Sequence, residues 1–281
     1  MARGVAGSRR KAEPTTDVSD REVAASNGAD TDYLAAVDRA MRTLEMLADA
    51  AEGLSTSEVA RNLDVNKQIA VRILVTLLQS GYVFQTPDQL YKLTYKVGNL
   101  GYRQQSTARL TDQCVPMIRA LAEETGELVR LAVIEAGQPV WLHAASGRIH
   151  RLRLDPVWPA EVQPHVHAVG KVMLSTLTDA EIADRIGPEP FRQETPQSIT
   201  TLARLLEEIR LVRDRGFATS CEEAEPGVGA IAAPIIPGHV KRPVGIVSIA
   251  APTARVSCAA LEGWSARLIE IAHQLADVWP L

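Results

Sequence analysis

Three patterns in the 281-residue sequence predict an α/β chain of the α+β type. Apolar residues recur at helical period from Leu34 to Gln79, a hairpin pattern follows at 82–93, and strand-like runs alternate with helices beyond Leu128. They divide the chain into a small helical domain closed by a hairpin and a larger domain on a largely antiparallel sheet, with helices expected on one of its faces. Apolar residues make up 46%, enough for two packed cores.

Residues 1–31 are small, polar and charged without an apolar period, and read as a disordered tail. Their basic cluster, Arg9, Arg10 and Lys11, is read as solvated. The tail lacks the apolar stretch of a secretory signal. Val37, Met41, Leu44 and Leu47 then recur at helical spacing and predict a first amphipathic helix, broken at Gly53. Ser55 and Glu58 have the spacing of a capping box, with Leu54 and Val59 placed as a hydrophobic staple, so a second, short helix runs to about Asn62. Four residues later Asn66 is positioned to cap a third helix, which Ser80-Gly81 closes with a left-handed cap. Tyr82–Gln85, a turn at 86–89 and Leu90–Leu93 make a hairpin. Three helices and a two-stranded wing over 32–94 form a winged helix-turn-helix.

Residues 95–111 read as a linker helix, and a further helix is expected after Pro116 with Ile118, Leu121 and Ala122 on one face. In the remaining domain, 112–281, strands are predicted at 128–135, 140–143, 149–154, 217–220, 229–236 and 244–250. Helices are predicted at 168–177, 179–186, 200–215 and 256–279. Trp141, Trp264 and Trp279 sit in apolar settings and are read as packing residues. No run of about 18 apolar residues exists, so no membrane span is expected. Cys114, Cys221 and Cys258 are scattered and without CxxC spacing, which fits a cytoplasmic location.

The third helix carries the functional signal. At about 100° per residue, Lys67, Gln68, Val71, Arg72, Val75 and Gln79 share one face, opposite Ile69, Ala70, Ile73, Leu74 and Leu77. Amides, cations and branched methyls in one stripe match the donors, acceptors and thymine methyls of a major groove. The net charge of −4 taken over the whole chain argues against a polyanionic partner. Between 61 and 103, however, six basic residues face only Asp64 and Asp88, a local surplus of four. Double-stranded DNA is therefore the expected partner, and a winged helix used for protein contacts, its charges solvated, is the alternative.

The segment SEVARNLDVNKQIAVRILVTLLQSGYV, followed by LYKLTYKVGNLG, HVHAVGKVMLSTL, TPQSIT, VRDRGFATSCEEAEPGVGAIAAPI and GIVSIAAPTARV, resembles the IclR family of bacterial transcriptional regulators in ordered blocks over about residues 33–280. The resemblance implies a GAF-like effector domain, a homodimer or homotetramer, and control by a small organic or aromatic acid, with no cofactor. It matches Asn66, Lys67, Gln68, Val71 and Arg72 to the start of the DNA-reading helix. Gln68 and Ile69 stand where relatives usually carry small hydroxyl residues, so base preference does not transfer. It also brings Ala168, Val169, Ser220, Ala230, Ser248 and Ala250 to one effector pocket, the acid meeting the N–H groups at the start of the helix from Ala168. Ala230 and Ala250 replace a common cysteine and serine, and Val157 and Trp158 replace a glycine-containing turn. A larger, partly apolar acid is expected. The competing reading is an enzyme or metal sensor using Cys221, His165 and His167, the last two an HxH pair. Glu222, Glu223 and Gly227 match the EExxxG pattern and are read as structural rather than catalytic.

Overall fold

A computed structural model describes residues 33–108, 110–155 and 162–279. The predicted tail, together with Val157 and Trp158, lies outside the described residues. The chain divides between Asn99 and Leu100 into two units.

The first unit contains α1 (Ala35–Asp49), α2 (Thr56–Asn62), α3 (Lys67–Gln79), β1 (Val83–Gln85) and β2 (Tyr91–Leu93). The local signals act as read. Ser55 and Glu58 exchange the two hydrogen bonds of a capping box at the start of α2. Asn66 Oδ1 accepts from the Ile69 N–H at 3.0 Å. After α3, Gly81 takes φ 74° while the Tyr82 N–H reaches the Leu77 carbonyl at 2.9 Å, which satisfies the last turn's carbonyls. Gly53, at φ 87°, admits no side chain, because a Cβ there would lie 2.7 Å from the Tyr91 carbonyl oxygen. Leu47, Val59, Leu63, Ala70, Leu74, Leu77, Val83 and Tyr91 close the core. The stripe on α1 departs from expectation. Leu47 is buried, but Val37 and Met41 remain 51% and 55% exposed, since the core of this small unit is filled by α2, α3 and the wing.

In the second unit, β3 (Leu128–Glu135), β4 (Gln138–Ser146), β5 (Ala218–Cys221), β6 (Val228–Ile235) and β7 (Gly245–Pro252) form one sheet in the order β4-β3-β7-β6-β5, every neighbour antiparallel. Helices α4 (Lys96–Ala108) and α5 (Leu110–Thr125) lead into it. Within the domain lie α6 (Ala168–Leu174), α7 (Asp179–Ile186), α8 (Leu202–Arg215), α9 (Cys258–Leu261) and α10 (Ser265–Asp277). Helices cover both faces of the sheet, not one. Ile118 and Leu121 of α5 and Leu268, Ile271 and Leu275 of α10 pack on Val129, Leu131, Ile231, Val247 and Ile249. Val169 and Val172 of α6 and Val212 of α8 pack on Ala218, Ala232 and Ile246 of the opposite face. Every residue of β7 is buried as a result. No helix among the described residues is long and apolar enough to cross a membrane.

Three further expectations are corrected. Helix α5 begins six residues before Pro116, which sits inside it. Proline there forfeits one helical hydrogen bond, a loss offset by burial of Cys114, Ile118, Leu121 and Ala122. The segment 149–154 is not a strand: its alternating residues find no partner edge among the described residues, and Ile149 and Leu152 stay exposed. Cys221 and Cys258 are joined in a disulfide, with Cα atoms 5.6 Å apart, while Cys114 is free and buried.

Candidate functional site

On α3 the burial follows the predicted faces. Ala70, Ile73, Leu74 and Leu77 are buried, whereas Asn66, Lys67, Gln68, Val71 and Arg72 are exposed. Asn66 has its side-chain oxygen engaged in the cap, which leaves its amide N–H groups for any outside contact. The local charge surplus is narrower than a count implies. Lys96 donates to the Ser80 carbonyl at 2.6 Å and lies over the Tyr82 ring, and Lys92 is 3.7 Å from Glu52. Lys67 and Arg72 have no ion-pair partner among the described residues, and both project from the exposed face of α3.

The second unit holds a cavity of about 480 Å³ between the sheet and α6. Strand register builds its floor. Arg130 of β3 lies opposite Ser248 of β7, Ala230 of β6 pairs with Ala250 of β7, and Ser220 of β5 pairs with Ala230. Successive side chains alternate across a sheet, so these residues share the face opposite the α5–α10 core. Ala168, Val169, Ser220, Ala230, Ser248 and Ala250 all line this one cavity. Arg130, Trp141, His167, Leu154, Asp155 and Glu225 complete its walls. None of these is read from the sequence as an effector-pocket residue; His167 is considered only as a metal ligand and Trp141 only as packing. Trp141 packs on the Ala168–Val172–Ala232–Ile246 cluster, as read, and also walls the cavity, with the Arg130 guanidinium 5.5 Å from its ring centre. A signal existed: Arg130 interrupts the apolar run of Leu128–Ile134, LVRLAVI.

Helix α6 spans only seven residues, and its cap residue His167 makes no side-chain cap bond. The side-chain cation of the cavity is Arg130. Gly170 permits the close approach that seats α6, because a Cβ there would lie 2.4 Å from the Pro164 Cα.

The sequence profile of the bacterial transcriptional regulator IclR C-terminal domain matches residues 104–277, and that of the IclR helix-turn-helix domain matches residues 36–87. The chain belongs to the IclR family. It is similar to the HTH-type transcriptional regulator BhcR of Paracoccus denitrificans, 30% identical over 88% of each chain. To the transcriptional repressor IclR of Escherichia coli it is 22% identical, covering 91% of this chain and 93% of that one. A crystal structure of an IclR regulator from Alicyclobacillus acidocaldarius shares the fold with a TM-score of 0.73 at 21% identity, over 87% of this chain and 98% of that one. The protein is thus an IclR-type transcriptional regulator and not an enzyme.

The blocks that carry the family resemblance have structural work beside the cavity. The Thr195 and Ser198 hydroxyls donate to the main-chain carbonyls of Glu222 and Glu223, at 2.6 and 2.7 Å. Thr253 donates to the Glu222 carboxylate at 2.6 Å. Lys171, fully buried on α6, meets the Glu223 carboxylate at 2.7 Å and the Thr219 carbonyl at 3.0 Å. Burial pushes the Glu223 carboxyl above its usual range, and the Lys171 charge pulls it back. The pair therefore pins the β5–β6 turn to α6. Cys221, His165 and His167 do not assemble into a metal or nucleophile site. Cys221 is disulfide-bonded, His165 Nε2 lies 2.8 Å from the Arg192 carbonyl, and His167 faces the cavity. No metal-ligating group of three or more such side chains occurs among the described residues.

Proposed function

We propose that this regulator reads a double-stranded operator with Asn66, Lys67, Gln68, Val71 and Arg72, and that a small organic or aromatic acid bound among Ala168, Val169, Ser220, Ala230, Ser248 and Ala250 alters operator binding. The observation that carries the reading is the cavity of about 480 Å³, a size suited to a small ligand. Its floor is two facing alanines, Ala230 and Ala250, which favours an apolar skeleton over the smallest keto acids. DNA reading is assigned to 32–94, connection to 95–111, and effector binding and oligomerisation to 112–281, in a cytoplasmic protein. A homodimer or homotetramer is favoured by the apolar surface at Tyr33, Leu34, Val37 and Met41, and paired half-sites require two reading helices. An effector acts only by binding one arrangement of the assembly better than another.

An IclR homolog from Microbacterium hydrocarbonoxydans, 19% identical over 86% of this chain and 98% of that one with a TM-score of 0.67, is complexed with 4-hydroxybenzoate, which makes that acid a reasonable probe. The test is fluorescence anisotropy of the full chain on its own upstream intergenic DNA against scrambled DNA at matched salt, with and without a panel of aliphatic and aromatic acids. Specific binding shifted by an acid is the expected result. Specific binding that no acid moves removes the effector assignment, and equal affinity for scrambled DNA at every salt removes the upstream operator.

A further inference from the structure

We propose that Cys221 and Cys258 form a reversible redox site: a low-molecular-weight thiol reaches the bond through a polar surface pocket, opens it, and loosens the wall of the cavity between the sheet and α6. The inference rests on the cytoplasmic location proposed above, where a protein disulfide is as a rule transient and redox-sensing rather than permanent.

Packing brings the two sulfurs together. Leu261 of α9 is fully buried, and Gly229 makes its room, since a Cβ there would lie 2.9 Å from Leu261 Cδ1. Gly229 is the β6 partner of Cys221, so seating Leu261 sets α9, with Cys258 as its first residue, beside the end of β5. The two Cα atoms lie 5.6 Å apart, inside the span that a disulfide bridges, although 37 positions separate the residues. Thiols held in this way re-form the bond as an intramolecular step after reduction. Access is selective. Cys258 is exposed, and Cys221 is half-buried at a pocket of about 270 Å³ whose lining includes Gln197, Thr201, Arg204 and Glu208. Cys114 is fully buried and its thiol is pushed up to about 11, which keeps it out of the exchange.

The exchange balances with the small thiol as reductant. A thiolate entering the pocket attacks Cys221 Sγ and forms a mixed disulfide there. The Cys221–Cys258 bond breaks, and its electron pair leaves on Cys258 Sγ, which takes a proton from water at its exposed position. A second small thiolate attacks the small-thiol sulfur of the mixed disulfide and displaces Cys221 as a thiolate, which is protonated in turn. Two small thiols are thereby oxidised to one small disulfide while the protein disulfide is reduced to two thiols, and the small disulfide reverses the sequence.

The position of the bond gives the exchange a consequence. Strand β5 lies at the edge of the sheet and joins β6 over four residues, Ala218–Cys221. Glu222 follows at φ 55°, in the left-handed region that residues with a side chain seldom adopt. The Cys221 N–H reaches the Glu223 carboxylate at 3.3 Å, and Ser220, Ala224, Glu225 and Val228 around this turn line the cavity. The bridge thus clamps the end of a short edge strand whose continuation is cavity wall. Opening it leaves that turn to its hydrogen bonds, and local opening becomes more frequent.

Full-length protein equilibrated with graded ratios of reduced to oxidised glutathione, followed by alkylation mass spectrometry and hydrogen exchange, tests the site and its effect. Reduced glutathione should free Cys221 and Cys258 together and leave Cys114 unalkylated, and oxidised glutathione should restore the bridge. The amides of 222–228 should exchange about ten-fold or more faster in the reduced form, while those of 268–275 in the core stay unchanged. The double substitution Cys221→Ser/Cys258→Ser should show the fast exchange at every ratio, and Cys258→Ser should collect one glutathione on Cys221. A bridge that survives reduced glutathione in the folded protein overturns the redox site. Reduction without faster exchange at 222–228 overturns the link to the cavity wall, and a Cys258→Ser protein without the adduct overturns the pocket as the route of attack. These readouts use neither operator nor ligand and are made in vitro, so they fail or succeed independently of the location and effector readings.

Discussion

Replacing Lys171 by methionine should cost this protein a large share of its stability in the effector domain. The side chain of Lys171 is 1% exposed and that of Glu223 13%, with the ammonium 2.7 Å from the carboxylate. Methionine fills a similar volume but leaves the carboxylate with only the Cys221 N–H, at 3.3 Å, and takes the ammonium from the Thr219 carbonyl. Deleting one partner of a buried pair costs about 3–5 kcal/mol, because the remaining charge stays desolvated. In a domain of this size each kcal/mol moves the melting temperature by roughly 2–4 °C, so a fall of about 6–20 °C is expected near pH 7. All four tryptophans, Trp141, Trp158, Trp264 and Trp279, lie in the second part of the chain, so intrinsic fluorescence of the intact protein follows that unit selectively. The pH dependence has a definite sign. Burial raises the Glu223 pKa, and without Lys171 the opposing attraction is gone. An acid with a folded pKa above its unfolded value of about 4.5 destabilises the fold when ionised, and that penalty disappears as pH falls below the unfolded value. Lys171→Met should therefore recover relative to wild type as pH drops from about 7 to about 5. Adding Glu223→Leu should restore most of the loss at neutral pH, since an apolar pair can replace a buried ion pair. A single-mutant loss under about 1 kcal/mol, or a loss that neither pH nor the second substitution changes, refutes the argument.

Other outcomes follow from the same geometry. Lys67→Ala and Arg72→Ala should each weaken operator and scrambled DNA alike and reduce the slope of log affinity against log salt by about one, whereas Gln68→Ala should cost about 1–3 kcal/mol on the operator alone; an unchanged salt slope in the first two excludes them as phosphate contacts. Ser55→Ala removes the acceptor for the Glu58 N–H and should destabilise the first unit by about 0.5–2 kcal/mol in chemical denaturation followed by far-UV circular dichroism. Burial pushes the Cys114 thiol up to about 11. With Cys221 and Cys258 bridged, native oxidised protein should show no fast thiol toward an aromatic disulfide reagent, and reduction should expose two; a fast thiol before reduction would contradict the pairing.

Much of the first unit was legible because its signals act over a few residues. The Ser55–Glu58 box, the Asn66 cap and the Gly81 turn are closed by atoms three to five positions apart, and the faces of α3 follow from helical period alone. The six pocket residues named beforehand came from resemblance rather than from period, and register explains why they meet. Local pattern failed wherever a distant partner held the deciding vote. Val37 and Met41 have the spacing of core residues, yet the small core has no further room for them. The alternation at 149–154 reads as a strand, yet a strand exists only where another edge receives its hydrogen bonds.

From its own residues the sequence determined most of the helices and strands, 149–154 excepted, where the first helices start and stop, and which face of α3 meets solvent. These depend on hydrogen bonds and side-chain period within one element. Only the tertiary structure decided that Arg130 and Trp141 line a cavity, that Cys221 meets Cys258, and that a buried Lys171 holds Glu223. Each of those depends on pairing between segments far apart in the chain. A one-residue slip in strand register would turn Arg130 into the hydrophobic core, and no local pattern records which register the completed sheet will choose.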